Sequence, residues 1–299
     1  MLNSPIRVGV MDESDQEEEY SFKKIGVNPF PGLRPFTMEE CYLFFGRETQ
    51  VDEILLKLTE HRSVTVMGYS GSGKSSLMYC GLLPVLYGGF MTRSGPFWSV
   101  SRSRPGSSPI ANLTQSIVDT LLESKRIEEE DIPIHKAIIS SVLRSGPNGL
   151  VEIAKYIQKD ERENVLFLVD QFEEVFRHSD RSNEARNEAT AYINLVTTAV
   201  QQKQVPVYVA MTMRSDFIGH SAAFHGLSEM INTSNYLIPQ MTREQKRIAI
   251  EGPVSVSGGK ITPRLLKRLL NELGDNQDQL PILQHAMMRT WDYWVDNHE

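Results

Sequence analysis

Long apolar runs are missing from this sequence. No stretch approaches the ~18 residues a membrane-spanning helix needs, and the N-terminus has no signal-like apolar core, so a membrane span and a secretory signal are both excluded as readings. Cysteine is scarce as well. Cys41 and Cys80 are the two in 299 residues, too few for a disulfide framework or a zinc site. They read as buried thiols in a reducing compartment, and the chain as cytoplasmic. An excess of basic charge is also absent: 31 Lys and Arg stand against 38 Asp and Glu, for a net charge of −7. Six of those acids fall in DESDQEEE (12–19), which leaves the remainder near neutral, about −1. A near-neutral body has no electrostatic footprint for general nucleic-acid binding.

What is present is ordinary globular composition, 40% hydrophobic and 23% charged, at a length that suggests two domains. Residues 1–27 hold the acidic run and little apolar periodicity, and read as a flexible leader. NPFPGLRPF (28–36) has three prolines in nine residues, which fixes an extended segment. Next, ETQVDEILLKLTEH places Val51, Ile54, Leu55 and Leu58 on one helical face. From there the chain alternates. Strand-like runs are SVTVM (63–67), PFWSVS (96–101), NVLFLVD (164–170), PVYVAMTM (206–213) and YLI (236–238). Helical runs lie between them: SSLMYCGLLPVL, SPIANLTQSIVDTLLES, GLVEIAKYIQKD and EARNEATAYINLVTTAVQQK. That order predicts a parallel sheet covered on both faces, with the ligand edge at the strand C-termini. After residue 240 only helical patterns remain, the second opened by Thr-Pro and closed by Gly274. The expected division is an α/β domain over 28–240 and a helical lid over 241–299.

The densest chemistry lies after the first strand. Gly68 to Ser75, GYSGSGKS, fits G-x-x-x-x-G-K-[ST] between a strand and a helix. Its glycines Gly68, Gly71 and Gly73, with Ser70 and Ser72, let backbone N–H groups turn inward as an anion nest. The helix that begins at Lys74, Ser75 and Ser76 adds its positive end. Lys74 is placed to reach β- and γ-phosphates, and the Ser75 hydroxyl to hold Mg²⁺. NVLFLVDQFEEVF supplies the partner signal: a buried strand ending in Asp170 suits a Walker B aspartate on Mg²⁺. Glu174 is favoured as the residue that orients attacking water, with Glu173 as its rival. A third strand end presents Thr212 and Arg214, where a guanidinium can report on the γ-phosphate. In W98-S-V-S-R-S-R-P-G, Arg102 or Arg104 can meet phosphate, although a strand edge and turn account for the run. Trp291, Tyr293 and Trp294 near the end read as a face for a partner or a further domain.

Together these motifs carry a resemblance. NPFPGLRPF, FFGRETQVDEIL, GYSGSGKSSLMYCGLLP, LFLVDQFEEVF, TMRSDFIG, YLIPQMTREQKRIAIEGP and DQLPILQHAMMRTWD occur in one order over residues 28–296. This resembles the STAND class of signalling NTPases, in particular the bacterial "novel STAND" group. The resemblance implies the ASCE, AAA+-like branch of P-loop NTPases, with sheet order 5-1-4-3-2 and a small helical lid. It puts Phe45, Gly46 and Arg47 beside the nucleotide base or ribose, and makes Arg214 the sensor on the fourth strand. Pro281 matches the lid proline that closes over the base, although Gln279 and Leu280 precede it where the family has a glycine. It also implies ATP or ADP with Mg²⁺, and the absence of an N-K-x-D guanine signal agrees. Family members continue into a winged helix, sensor repeats and an effector domain. On that pattern this chain looks like the nucleotide-binding core of a larger protein. A winged-helix histidine normally holds ADP; His285 and His298 sit in no comparable motif and read as ordinary helix residues.

The expected function is an ATP-binding and hydrolysing signalling switch that oligomerises on activation, with antiphage defence as the role the family suggests. Alternatives stay open at this level: a motor or remodelling ATPase, a non-hydrolysing nucleotide scaffold and, more distantly, a small-molecule kinase.

Overall fold

The computed structural model describes residues 27–273 and 279–297. The acidic leader, the Gly274 helix stop and His298 lie outside the described residues.

Five strands form one parallel sheet: β1 (Ser63–Gly68), β2 (Phe97–Ser103), β3 (Glu163–Val169), β4 (Val207–Arg214) and β5 (Asn235–Leu237). They lie in the order β2-β3-β4-β1-β5, which read from the other edge is 5-1-4-3-2. Alternate residues of each strand serve opposite faces. On β3, Val165, Phe167 and Val169 join the larger core, while Leu166 and Leu168 join the smaller one on the other face. Both faces being covered explains why these strands read as continuous apolar runs rather than alternating ones.

The smaller face is covered by α1 (Glu48–His61) and by the helix that leaves the phosphate loop. That second helix, α2 (74–87), starts as Lys74–Ser76, widens to a π turn over Leu77–Leu82 and resumes as Leu83–Tyr87. Pro84 has no N–H to return to Cys80, which helps explain the widening. Gly81 sits where α2 meets α1, since a Cβ there would stand 2.5 Å from Val51 Cγ2. The larger face is covered by α3 (Pro109–Glu123), α4 (Ile132–Arg144), α5 (Gly149–Ile157), α6 (Glu173–Ser179), α7 (Asn183–Gln201) and α8 (His225–Ser234).

Three further helices make the lid: α9 (Arg243–Val256), α10 (Pro263–Glu272) and α11 (Gln279–Asp296). Thr242 opens α9 with a reciprocal capping box, its hydroxyl accepting from the Gln245 N–H. The lid has its own core of Ile250, Val254, Leu270, Leu273, Leu283, Met287 and Trp291, and Phe30 completes it. The proline-rich segment 28–36 therefore begins in the lid: Asn28 Nδ2 donates to the Met288 carbonyl and to Asp292 Oδ1, both at 2.7 Å. It ends on the α/β domain, where the Phe36 N–H donates to Ser76 Oγ at 3.2 Å. No helix among the described residues is long and apolar enough to cross a membrane.

Strand register aligns the C-terminal edge. Gly68 pairs with Arg214, Val169 with Met211 and Ser103 with Val169, so the four strand ends open onto one place.

Candidate functional site: a phosphate loop facing an acidic strand end

A cavity of about 340 Å³ lies over that edge, between the phosphate loop, segment 31–36, residues 43–47 and the lid. Its floor is the loop. Gly71 and Gly73 hold φ of +72° and +87°, the left-handed region that favours glycine. Gly71 is also a point of close approach: a Cβ there would stand 2.6 Å from Pro281 Cγ, so the lid proline rests on the loop. The first helical bond after the loop is Leu77 N–H to Gly73 O at 2.9 Å, and before it the Ser72 N–H donates to Tyr69 O at 3.3 Å, so the N–H groups that open the helix at Lys74, Ser75 and Ser76 are the ones left for an anion. Ser70 and Ser72 line the cavity, and the Ser72 hydroxyl donates to Tyr69 O at 2.9 Å. The Lys74 ammonium donates to Gly68 O at 2.9 Å and Tyr69 O at 2.6 Å, and burial pushes its pKa down from the usual lysine value. Ser76 lines the cavity too, but its oxygen is engaged by Phe36.

Asp170 stands opposite. Oδ1 accepts the Ser75 hydroxyl at 2.7 Å and the Thr212 hydroxyl at 2.6 Å. Oδ2 accepts Arg104 Nη2 at 2.8 Å and Nε at 3.1 Å, and the Tyr79 hydroxyl at 3.3 Å. Thr212 does more than orient Asp170. Its hydroxyl oxygen accepts the Gln171 N–H at 2.9 Å and its carbonyl accepts the Phe172 N–H at 2.9 Å. Those two bonds hold Gln171 at φ +61°, a turn that swings the start of α6 across the strand ends.

That turn separates the two glutamates. Glu173 lines the cavity, is 5% exposed, and its Oε2 accepts the Arg214 N–H at 3.3 Å. Burial raises its pKa above the ordinary carboxylate value. Glu174 points aside, Oε2 accepting the Gly106 N–H at 2.9 Å, and does not line the cavity. Of the two, Glu173 is therefore the carboxylate that faces the cavity, although sequence spacing favours Glu174. Arg214 lines the cavity and is held by Asp216 through two bonds of 3.0 and 2.6 Å.

The far end of the cavity is apolar, with Phe44, Phe45, Met241, Ala249 and Leu283. Gly252 lets α9 come close to the Phe45 ring, since a Cβ there would meet it at 2.6 Å. Gly46 takes φ +84° with Gln245 O only 2.7 Å from a hypothetical Cβ. Arg47 is 4% exposed, donates to Pro239 O at 2.8 Å, and is pulled down to about 10 by desolvation.

These residues fit a nucleoside triphosphate with Mg²⁺. Gly71 has room for backbone and none for a side chain, an apolar compartment adjoins a cationic one, and Ser75 and Asp170 offer the hard oxygen donors Mg²⁺ requires. Sequence reading brought together Lys74, Ser75, Asp170, Glu173, Arg214, residues 45–47 and Pro281. It passed over Tyr79, which follows Ser75 by one helical turn and so shares its face, and it treated Arg104 as one end of a strand edge. Arg102, its companion in that reading, turns away to Glu123 at 3.4 Å.

The sequence matches the family described as nSTAND1, Novel STAND NTPase 1, over residues 29–298. No curated protein matches it. Among solved structures, the Aeropyrum pernix ORC2 protein (ADPNP–ADP complexes) superposes with a TM-score of 0.51 at 9% identity, over 84% of this chain and 67% of that one. A chain of the E. coli MS115-1 HORMA:CdnC:Trip13 complex gives a TM-score of 0.51 at 13% identity, over 90% of this chain and 95% of that one. At such identities the likeness is one of fold.

Proposed function

The chain belongs to the Novel STAND NTPase 1 family, and we propose that it binds ATP with Mg²⁺, hydrolyses it slowly, and uses the bound nucleotide as a conformational switch. One observation carries the reading: Ser75 Oγ and Asp170 Oδ1 meet at 2.7 Å beside the phosphate loop, in a cavity that the lid closes through Pro281. Ser75 and Asp170 would hold Mg²⁺, whose charge would offset that of the phosphates. Lys74 exchanges its two carbonyl partners for phosphate oxygens, a change its burial favours because an anion compensates the desolvated ammonium better than carbonyl dipoles do. Glu173, rather than Glu174, accepts a proton from, or orients, the attacking water. Arg214 has Asp216 as its resting partner and the cavity beside it, which supports a γ-phosphate sensor. Phe45, Gly46, Arg47 and Pro281 enclose the base and ribose.

In the larger protein the switch would govern self-association through a winged helix, sensor repeats and an effector domain, with antiphage defence as its setting. No membrane or nucleic acid enters this reading.

The test is nucleotide content and turnover. Purified protein is denatured and the released nucleotide identified, then ATP binding and hydrolysis are measured with Lys74→Ala and Glu173→Gln. We expect adenine nucleotide in the wild type, loss of binding in Lys74→Ala, and retained binding with hydrolysis slowed about 10²-fold or more in Glu173→Gln. A folded wild type that neither retains nor binds nucleotide ends the proposal. Strong stimulation by DNA or by an unfolded polypeptide moves it to a motor.

A further inference from the structure

From the donors around Asp170 we infer that Arg104 is a latch on the metal site, competing with the divalent cation for the same carboxylate. The inference rests on the nucleotide reading above and concerns how that site is switched on.

A carboxylate accepts about four hydrogen bonds. Asp170 already takes two on Oδ1, from Ser75 and Thr212, and three on Oδ2, from Arg104 twice and Tyr79 once. It has no acceptor capacity left for a cation, so one donor must leave before a metal can bind. The donors differ in how readily they do so. Thr212 is 1% exposed and also pins the Gln171 turn, and Tyr79 is anchored in the π turn of α2. Arg104 alone carries charge, and its side chain is 49% exposed against 2% for that of Asp170. Leaving costs the guanidinium little because water is at hand. The carboxylate, by contrast, cannot be left buried and unpaired. Asp170 therefore has one counter-ion at a time: Arg104 before the metal arrives, the metal afterwards. Lys74 does not compete for the place, because its ammonium is held by Gly68 O and Tyr69 O.

The backbone around Arg104 confines the exchange to a side-chain swing. Ser103 O accepts the Asp170 N–H at 2.9 Å, and Gly106, at φ +56°, donates to Glu174. Pro105 O accepts Asn112 Nδ2 at 2.8 Å, which ties the turn to α3. The chain on either side of Arg104 is thus fixed to the acidic strand end and to the next helix. This gives Glu174 a purpose too: it holds the turn from which the latch swings.

The experiment follows binding of a fluorescent ADP derivative as Mg²⁺ is titrated, in wild type, Arg104→Ala and Arg104→Lys, alongside thermal melts. Removing a charge-assisted two-point competitor should lower the half-saturating Mg²⁺ concentration about tenfold or more in Arg104→Ala. Arg104→Lys should fall between, since an ammonium keeps the charge and loses the fork. A purely structural salt bridge predicts the opposite pattern: a lower melting temperature with the Mg²⁺ half-point unchanged or raised. A half-point within twofold of wild type in both variants overturns the latch while leaving the nucleotide reading intact. A wild type that binds no nucleotide at any Mg²⁺ concentration overturns both. If Arg104→Ala fails to fold, Arg104→Lys decides alone, by whether its half-point falls or holds.

Discussion

Glu173 is a carboxylate whose surroundings oppose its charge. It is 5% exposed, and its raised pKa has desolvation as the main cause, opposed by backbone N–H donors including that of Arg214 and by the charge of Lys74. The sign of the consequence follows from linkage. A carboxylate whose folded pKa lies above its unfolded one binds protons more tightly when folded, so stability is full below the ordinary glutamate range and falls as pH rises toward the raised value. Ionised Glu173 is thus a cost to the fold at neutral pH, one the proposed role of orienting water would account for. Glu173→Gln should melt at a higher temperature than wild type at pH 7 to 8, by a margin on the order of 1 kcal/mol. That margin should shrink to nothing as pH falls below about 4, where both side chains are neutral. Melting curves across pH check it. A constant offset would assign the effect to packing, and a lower melting temperature at neutral pH would show the carboxylate to be stabilising instead.

At the scale of elements, legibility tracked how each element earns its apolar pattern. The central strands could be read because a strand covered on both faces is buried along its length, as β3 is, whereas the strand order came only with the family resemblance. Helices α1, α3, α5 and α7 were legible from one-sided periodicity. Helix α4 was not, because Ile134 and Ile138 face solvent at 60% and 52% exposure while Ile139 and Leu143 are buried, which blurs the stripe. Helix α8, HGLSEMINTS, is short and mostly polar, and its four buried positions are too few to announce it. The π turn of α2 was hidden because nothing in LMYCGL differs from an α-helix until Pro84 follows. At the site, Lys74 and Ser75 were legible because the phosphate loop fixes their spacing, and Asp170 because an acid ends a buried apolar strand. That Glu173 and not Glu174 lines the cavity was not, since it depends on the left-handed Gln171 and on Thr212, which is 42 residues beyond Asp170. A further element-scale prediction concerns the meeting of loop and lid. Gly71→Ala places a Cβ against Pro281 in a left-handed backbone, and should destabilise by about 1–2 kcal/mol from strain alone, plus whatever Pro281 resists. In Gly71→Ala/Pro281→Ala the second part is relieved. A double-mutant cycle on melting and ADP affinity should give a coupling of about 1 kcal/mol. A coupling near zero would mean that the lid proline does not bear on the loop.

The whole molecule is a sheet with a core on each face and a lid with a core of its own, linked in the chain by the run from β5 into α9 and by the proline-rich segment 28–36. That segment begins in the lid and ends on the phosphate helix, with the cavity wall between. Phe30 is 2% exposed in the lid core, whereas Phe36 packs on Phe44 with ring centroids 5.9 Å apart and joins Leu43 and Cys80. The lid core is small, so losing Phe30 removes a large share of it. Phe30→Ala should cost the lid about 3–5 kcal/mol while leaving the two sheet cores nearly untouched. Native-state hydrogen exchange would then show amides of α9, α10 and α11 losing about two to four orders of magnitude of protection, with those of β1, β3 and β4 holding. Saturating Mg²⁺ and ADP should recover part of the loss, because a nucleotide held between loop and lid binds the closed form and opposes lid opening by mass action. Uniform loss across sheet and lid would mean that sheet and lid unfold as one. A loss confined to the lid and unmoved by nucleotide would mean that the lid does not close on it, and the switch would then have to work through the strand edge alone.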